Sequence, residues 1–475
     1  SSWQKKRSFF ASFLKESIKT MTDTIAAIAT ARTPAAIGIV RISGPETLSV
    51  ADRVFRAKNG KPAADQATRR MLYGQMRTAE GTVIDDGLCV LFPPQSSYTG
   101  QWSAELHCHG SPVVLDEVLR STFAAGARQA RGGEFTKRAF LSGRMDLIQA
   151  EAVADLIDAE TAESAQNAAL QLSGALSRGV ERVYGDLMDI TSRFYAAVDY
   201  PDEDIEPPEH RQIADTLTGC RRELQRLLDT FRRGRILKRG IPTVLLGLPN
   251  AGKSSLLNAL LGYDRAIVTE VAGTTRDTLE EKVRFGGQLL RLCDTAGIRE
   301  TGDSVEKLGV DRAVAAAEQA GLSLVVLDGS QSLTGGEEAV LTLAEKAEHT
   351  IIIINKNDLP RRLDTGAIQG RFPNICALSA RTGEGLEELG ALIQRLYPTP
   401  HRETGALLTN SRQAEAVSRA LQAVDRAAAA LDGGLTPDAV LTDAEEALAA
   451  LGELTGKSIR EDLVATIFSR FCVGK

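Results

Sequence analysis

The chain has 475 residues and a formal net charge of −6, with 43% apolar and 25% charged residues. This describes a globular chain of several domains and excludes a global basic field, so a polyanionic partner would have to be met by a local basic face. The six cysteines, at 89, 108, 220, 293, 376 and 472, form no C-x-x-C pair, so neither a zinc site nor a disulfide framework is indicated. A reducing, cytoplasmic compartment suits them.

Residues 1–21 mix Lys5-Lys-Arg7 with Phe9-Phe-Ala-Ser-Phe-Leu14 and read as an extension ahead of the folded chain, with a transit peptide as the alternative. No apolar stretch reaches the ~18 residues that span a bilayer. Residues 22–141 read as an α+β domain. Its predicted strands are Thr24–Ile28, Ala36–Val40 and Gly87–Phe92, and a helix is predicted over Val113–Phe123 after Ser111-Pro112. Within it, His107-Cys108-His109 alternate on a strand. That puts both histidines on one face, but without further clustered ligands a pocket or core strand is the better reading than a metal site.

From about 142 to 239 the texture is helical, with apolar spacing of three and four. The acidic run Asp199–Pro208 interrupts it and reads as a solvated loop. Arg232-Arg-Gly-Arg235 and Lys238-Arg239 close the segment, either as a basic linker or as an RNA-facing patch. Residues 240–397 alternate strands and helices around a mostly parallel sheet. Residues 398–475 return to helical texture. The fold class is therefore multidomain α/β and α+β, with a helical domain interrupted by an inserted Ras-like P-loop domain.

The inserted domain carries the most chemistry. Gly247-Leu-Pro-Asn-Ala-Gly252-Lys253-Ser254 follows the apolar run Thr243–Gly247 and opens into helix-forming Ser255–Leu261. Strand, glycine loop and helix form a phosphate cradle of inward backbone N–H groups at a helix N-terminus. Asn250, Ala251, Gly252, Lys253, Ser254 and Ser255 are the candidate contacts; Lys253 can reach the β and γ phosphates and Ser254 can ligate Mg²⁺. Asp294-Thr295-Ala296-Gly297 ends the run Leu289–Cys293, and Thr274 and Thr275 lie between it and the cradle. Asn355-Lys356-Asn357-Asp358 ends the run Thr350–Ile354. The Asp358 carboxylate can accept from guanine N1–H and the 2-amino group, donors that adenine lacks. Ser379-Ala380 can support guanine O6. Together these point to a guanine-nucleotide site.

Ile298 follows Gly297 where many small GTPases carry a water-orienting glutamine. Hydrolysis then needs another arrangement. Asn250 can ligate a monovalent cation near the phosphates, with backbone carbonyls around Thr269–Ala272 completing the shell, and Glu306 can orient water.

The combination of Ile39-Val-Arg41-Ile-Ser-Gly44, Ser97-Tyr-Thr-Gly100, Glu105-Leu-His-Cys-His-Gly110, Gly133–Phe140, Gln149-Ala-Glu-Ala152, Leu246–Ser255, Ala272–Asp277 and Phe471-Cys472-Val-Gly-Lys475 resembles the bacterial tRNA modification GTPase family MnmE, also called TrmE, from about Thr24 to Lys475. The resemblance implies an N-terminal domain that binds 5-formyl- or methylene-tetrahydrofolate through Arg41, Glu105, Arg144 and Lys475 and forms a homodimer. Arg144 stands where the family usually has lysine. The resemblance also implies K⁺ at Asn250, Thr269, Val271 and Thr274, Mg²⁺ at Ser254 and Thr275, and a catalytic Glu306. It implies modification of the wobble uridine of certain tRNAs with a flavoprotein partner, MnmG (GidA), which carries FAD and NADH. Cys472 is either a nucleophile or a small residue packed by the pocket. A GTP-controlled binding switch without base chemistry is the competing function.

Overall fold

The computed structural model describes residues 22–199, 206, 208–263, 281–292, 317–318, 320–398, 406–435, 437–457, 467–468, 471 and 473–474. They fall into two compact units, one drawn from Ser1–Ala154, Gln171–Leu224 and Ala416–Lys475, the other from Asp155–Leu170 and Gln225–Glu415. Their strands are β1 Ile25–Ile28, β2 Ala35–Ser43, β3 Phe55–Ala57, β4 Leu72–Arg77, β5 Val83–Phe92, β6 Ser103–Gly110, β7 Arg128–Gln129, β8 Ile241–Leu246, β9 Glu281–Phe285, β10 Gln288–Leu292, β11 Leu322–Asp328, β12 His349–Asn355 and β13 Ile375–Ala377. Their helices are α1 Thr47–Val54, α2 Pro112–Ala124, α3 Glu134–Leu141, α4 Leu147–Ile157, α5 Ala162–Leu172, α6 Ala175–Asp199, α7 His210–Asp229, α8 Phe231–Arg239, α9 Lys253–Tyr263, α10 Gly335–Ala344, α11 Gly366–Gln369, α12 Leu386–Leu396, α13 Ser411–Asp432 and α14 Pro437–Thr455.

In the first unit the sheet runs β3-β4-β5-β6-β2-β1-β7, mixed but mainly antiparallel. One face buries Val40, Ile42, Cys89, Leu91, Ala104 and Leu106 against Val50 of α1 and Leu115 and Val118 of α2. Strict alternation therefore sends Arg41, Glu105 and His107 to the opposite face. The end of the chain returns to this unit. Phe468 and Phe471 pack with Leu147 and Ala150 of α4, and Val473 bridges to Gly132. A Cβ on Gly474 (φ 106°) would collide with the Ile28 carbonyl oxygen, so only glycine allows this approach.

In the second unit the sheet runs β13-β12-β11-β8-β10-β9, parallel except for the antiparallel β9–β10 hairpin. Both faces are covered. Leu256 and Leu260 of α9 and Leu389 and Ile393 of α12 pack on one, and Leu341 and Ala344 of α10 on the other. Two-sided burial explains why β12 reads as the unbroken run Ile351-Ile-Ile-Ile354, each side chain contributing about 1.5–3 kcal/mol. The parallel strands end together, so the loops after β8, β11, β12 and β13 gather on one edge of the sheet, where open α/β sheets bind ligands.

Candidate functional site

Between the end of β8 and Lys253, the first residue of α9, the chain folds back in a tight loop. Gly252 has φ 100°, and a Cβ there would collide with Asn355 Nδ2. Asn250 holds the left-handed region at φ 64°, which asparagine tolerates better than most side chains. Lys253 Nζ donates to the carbonyl oxygens of Gly247 and Leu248, both at 2.8 Å. Burial pulls its pKa below the usual lysine value. A half-buried ammonium held by two carbonyls at a helix N-terminus is a seat for an anion, so these residues fit a nucleoside polyphosphate. Ser254, exposed in the first turn of α9, carries a hydroxyl that could hold a Mg²⁺ ion, which would supply charge neutralisation to a polyphosphate.

The base end is assembled around Asn355, which is 2% exposed. Its Nδ2 donates to the Ala251 carbonyl at 2.9 Å, and its Oδ1 accepts from the Ala380 N–H at 2.9 Å. One side chain therefore ties the phosphate loop to the turn after β13. Asp358 Oδ1 accepts from Ser379 Oγ at 2.7 Å, and its Oδ2 faces Arg381 Nη2 at 2.8 Å. The Ser379 hydroxyl first, then Arg381, holds its pKa below the ordinary carboxylate value, so it is ionised and ready to accept from two donors. Lys356, at φ 63°, donates Nζ to Asp328 Oδ2 at 2.6 Å.

Asn250, Ala251, Gly252, Lys253, Ser254 and Ser255 thus share the phosphate end, and Asn355, Lys356, Asp358, Ser379 and Ala380 the base end. Two features differ from the sequence reading. Asn355 acts as a tie between loops, and the Ala380 N–H is engaged by it rather than left for guanine O6. Asp328 and Arg381 join the site without having been expected there. Their signals are an Asp-Gly ending the apolar run of β11 and a cation directly after Ser379-Ala380. Thr269, Val271, Thr274, Thr275, Asp294, Thr295, Ala296, Gly297 and Glu306, with Cys472 and Lys475, lie outside the described residues.

In the first unit, Arg41 and Glu105 are register partners on β2 and β6. Arg41 Nε and Nη2 donate to Glu105 Oε1 at 3.0 and 2.9 Å. The guanidinium lies 6.0 Å from the Tyr98 ring centroid and 5.8 Å from that of Phe135. His107 Nε2 is 3.4 Å from Glu105 Oε2. A cation and an anion framed by aromatic rings, both partly exposed, suit a planar heterocycle with an acidic tail. Tyr98 and Phe135 fall in segments that the sequence singled out without giving them a role. Arg144 Nη2 donates to the Pro94 carbonyl. His109 Nδ1 pairs with Asp85 Oδ1 at 2.8 Å, away from His107. Among the described residues, no group of three or more His, Cys, Asp or Glu could hold a metal ion. Nor, among them, is any helix long and apolar enough to cross a membrane.

The family model for the MnmE helical domain matches residues 147–472, and that for the GTP-binding protein TrmE N-terminus matches residues 24–144. The tRNA modification GTPase MnmE of Heliobacterium modesticaldum is 42% identical over 465 residues, covering 95% of this chain and 99% of that protein. The chain belongs to the MnmE family. The protein of the same description from Clostridioides difficile is 40% identical over 458 residues, covering 95% of this chain and 99% of its own length. That from Christiangramia forsetii is 38% identical over 473 residues, covering 96% and 100%. Among solved structures, the G domain of the T. maritima FeoB iron transporter is 27% identical and covers 32% of this chain and 96% of its own, at a TM-score of 0.25. MnmE-family membership makes this chain a P-loop GTPase.

Proposed function

We propose that this protein is a potassium-stimulated GTP hydrolase whose nucleotide cycle drives modification at C5 of the wobble uridine of certain tRNAs. It works as a homodimer with a flavoprotein of the MnmG type, which supplies FAD and NADH. One observation carries the nucleotide half. Asn355 joins the phosphate loop to the Ser379-Ala380 turn, so Lys253 and Asp358 serve one ligand. The tRNA half rests on relatives matched over nearly their whole length.

The exposed Asn250 side chain in the phosphate loop, together with Ile298 where a glutamine would orient water, supports the cation reading. Asn250 with carbonyls from Thr269, Val271 and Thr274 would hold K⁺, Ser254 with Thr275 would hold Mg²⁺, and Glu306 would orient water. GTP turnover should be several-fold faster in potassium than in sodium; equal rates would remove the cation from the mechanism.

The Arg41–Glu105 pair beside Tyr98 and Phe135 supports a reduced-folate site carrying the one-carbon unit. Gly474 approaches Ile28, whose register partner Val40 adjoins Arg41, so the chain terminus returns close to that pair. Arg144 and Lys475 would complete the site, with Cys472 beside it. Calorimetry with 5-formyl-tetrahydrofolate should show binding that Arg41→Ala abolishes. Nucleoside analysis of tRNA from cells lacking this gene tests the whole reading. Loss of the modified wobble uridine is expected, and an unchanged profile would defeat the assignment in favour of a GTP-controlled switch.

A further inference from the structure

The short helix α8, Phe231-Arg-Arg-Gly-Arg-Ile-Leu-Lys-Arg239, is strongly basic and contains no acid, in a chain whose net charge is −6. Its orientation is fixed by what packs beneath it. A Cβ on Gly234 would collide with the Leu408 carbonyl oxygen, so the helix sits directly on that backbone. Just ahead of it, Thr230 Oγ1 accepts from the Leu408 N–H at 3.1 Å, and Ile236 packs against the core of the nucleotide sheet. Arg232, Arg233, Arg235 and Arg239 are exposed.

These cations do not all have the same freedom. Arg232 pairs with Glu348, and Lys238 pairs with Asp155 Oδ1 at 2.6 Å. Those two pairs latch the helix to its own unit. Among the described residues, Arg233, Arg235 and Arg239 make no ion pair. Three unneutralised guanidiniums on nine residues repel one another, which disfavours them unless a polyanion is the partner. Arg235 and Arg239 stand at i and i+4 on one face, about 6 Å apart along the axis, with the paired Arg232 at the end of the same stripe and Arg233 about a third of a turn or more round the helix. That rise matches about two phosphates at roughly 3.4 Å per nucleotide, which leaves Arg233 to a neighbouring phosphate. Guanidinium forks suit phosphate oxygens bidentately. Arg232 and Arg233 also border a cavity of about 330 Å³, but Glu163 and Glu348 stand in its wall, so an anion is better met on the outer stripe than inside.

We propose that the outer face of α8 is an RNA-docking surface, where Arg233, Arg235 and Arg239 grip the phosphate backbone of the substrate tRNA. The inference rests on the tRNA reading above. It assigns these arginines to backbone positioning and not to base readout, since the face offers charge without a pocket for a base.

The test uses the full chain and an unmodified, fluorescein-labelled tRNA transcript, with binding followed by anisotropy between about 50 and 300 mM KCl. The variant Arg233→Gln/Arg235→Gln/Arg239→Gln should bind on the order of 100-fold more weakly at about 0.1 M salt. Its slope of log affinity against log salt should be shallower by about 2, near 0.7–0.9 for each phosphate no longer neutralised. Basal GTP hydrolysis without RNA should be unchanged, and the triple arginine-to-lysine variant should keep most of the affinity, which separates lost charge from a misfolded helix. Undiminished tRNA binding with an unchanged salt slope in the glutamine variant would overturn the proposal. So would loss of binding to phosphatidylserine–phosphatidylcholine vesicles with tRNA binding intact, which would assign the face to a membrane. If the native protein binds no tRNA at all, the tRNA reading falls together with this surface.

Discussion

Replacing Asn355 with alanine should open the nucleotide site from within. The side chain is 2% exposed and makes two neutral hydrogen bonds of 2.9 Å, one to each of two loops 129 residues apart, from Ala251 to Ala380. Each bond contributes about 1 kcal/mol net, and a buried group left without its partner costs about 1–3 kcal/mol more. Ala251 is 4% exposed, so its carbonyl is orphaned, whereas the half-buried Ala380 N–H can recruit water. The sum is about 3–5 kcal/mol. If this is expressed in ligand affinity, the dissociation constant for GDP rises about 150- to 5,000-fold. Titration with a methylanthraniloyl-GDP reporter reads the affinity, and urea denaturation reads any cost to the fold. Asn355→Asp keeps the acceptor for Ala380 but turns an anion toward the Ala251 carbonyl, so it should be at least as damaging. Affinity within threefold of the native protein would refute the idea that this residue couples the two ends of the site.

Three further outcomes follow from the same geometry. Arg138 is 1% exposed and donates to the Asp23 carbonyl and Gln101 Oε1 at 2.8 and 3.0 Å and to Asp23 Oδ1 and Glu134 Oε1 at 2.6 and 3.1 Å. Arg138→Met should therefore destabilise the N-terminal sheet by about 2–4 kcal/mol in urea denaturation, because it removes four hydrogen bonds and leaves the buried Glu134 carboxylate to Arg128 alone among the arginine side chains. Burial alone would raise the pKa values of Asp23 and Glu134, but the arginines around them outweigh it and hold both below their ordinary values of 3.8 and 4.5. Their contribution is present above those unfolded values and is lost as pH falls through the lower folded ones, so a pH series should show it fading below about pH 4 in the native protein and reduced in Arg138→Met, where Arg128 still bonds both carboxylates. Burial pushes Cys89 and Cys220 up to about 12, and Cys108 and Cys376 to about 11. Iodoacetamide at about pH 8 should leave all four unmodified in the native protein and label them in urea, as peptide mass spectrometry will show.

Local chemistry made much of the nucleotide domain legible. A glycine loop between an apolar run and a helix, and motifs at the ends of buried runs, are written in consecutive residues, and β8, β10 and β12 lie within a residue or two of the predicted runs. The N-terminal sheet was legible only in part. β3 and β7 are too short to show a period, and α1, between Glu46 and Phe55, has no side-chain cap. The helical stretch after Leu147 reads as one texture, yet it is cut at Gly174, which takes φ 80° where a helix cannot continue. What the sequence could not show is pairing at long range. Arg41 meets Glu105 across 64 positions, and Asn355 meets Ala251 across 104. Such contacts depend on strand register, which no local pattern specifies.

The most direct test of the nucleotide assignment is exchange of its base-reading group. Guanine offers two donors to the Asp358 carboxylate, while xanthine presents an oxygen where guanine carries its amino group, and an amide in place of the acid supplies the matching donor. Steady-state hydrolysis of GTP, XTP and ATP should show the native protein selective for GTP and Asp358→Asn selective for XTP, with ATP poor for both. A variant that keeps its preference for GTP, or a native protein that turns over ATP equally well, would contradict the claim that these loops read guanine.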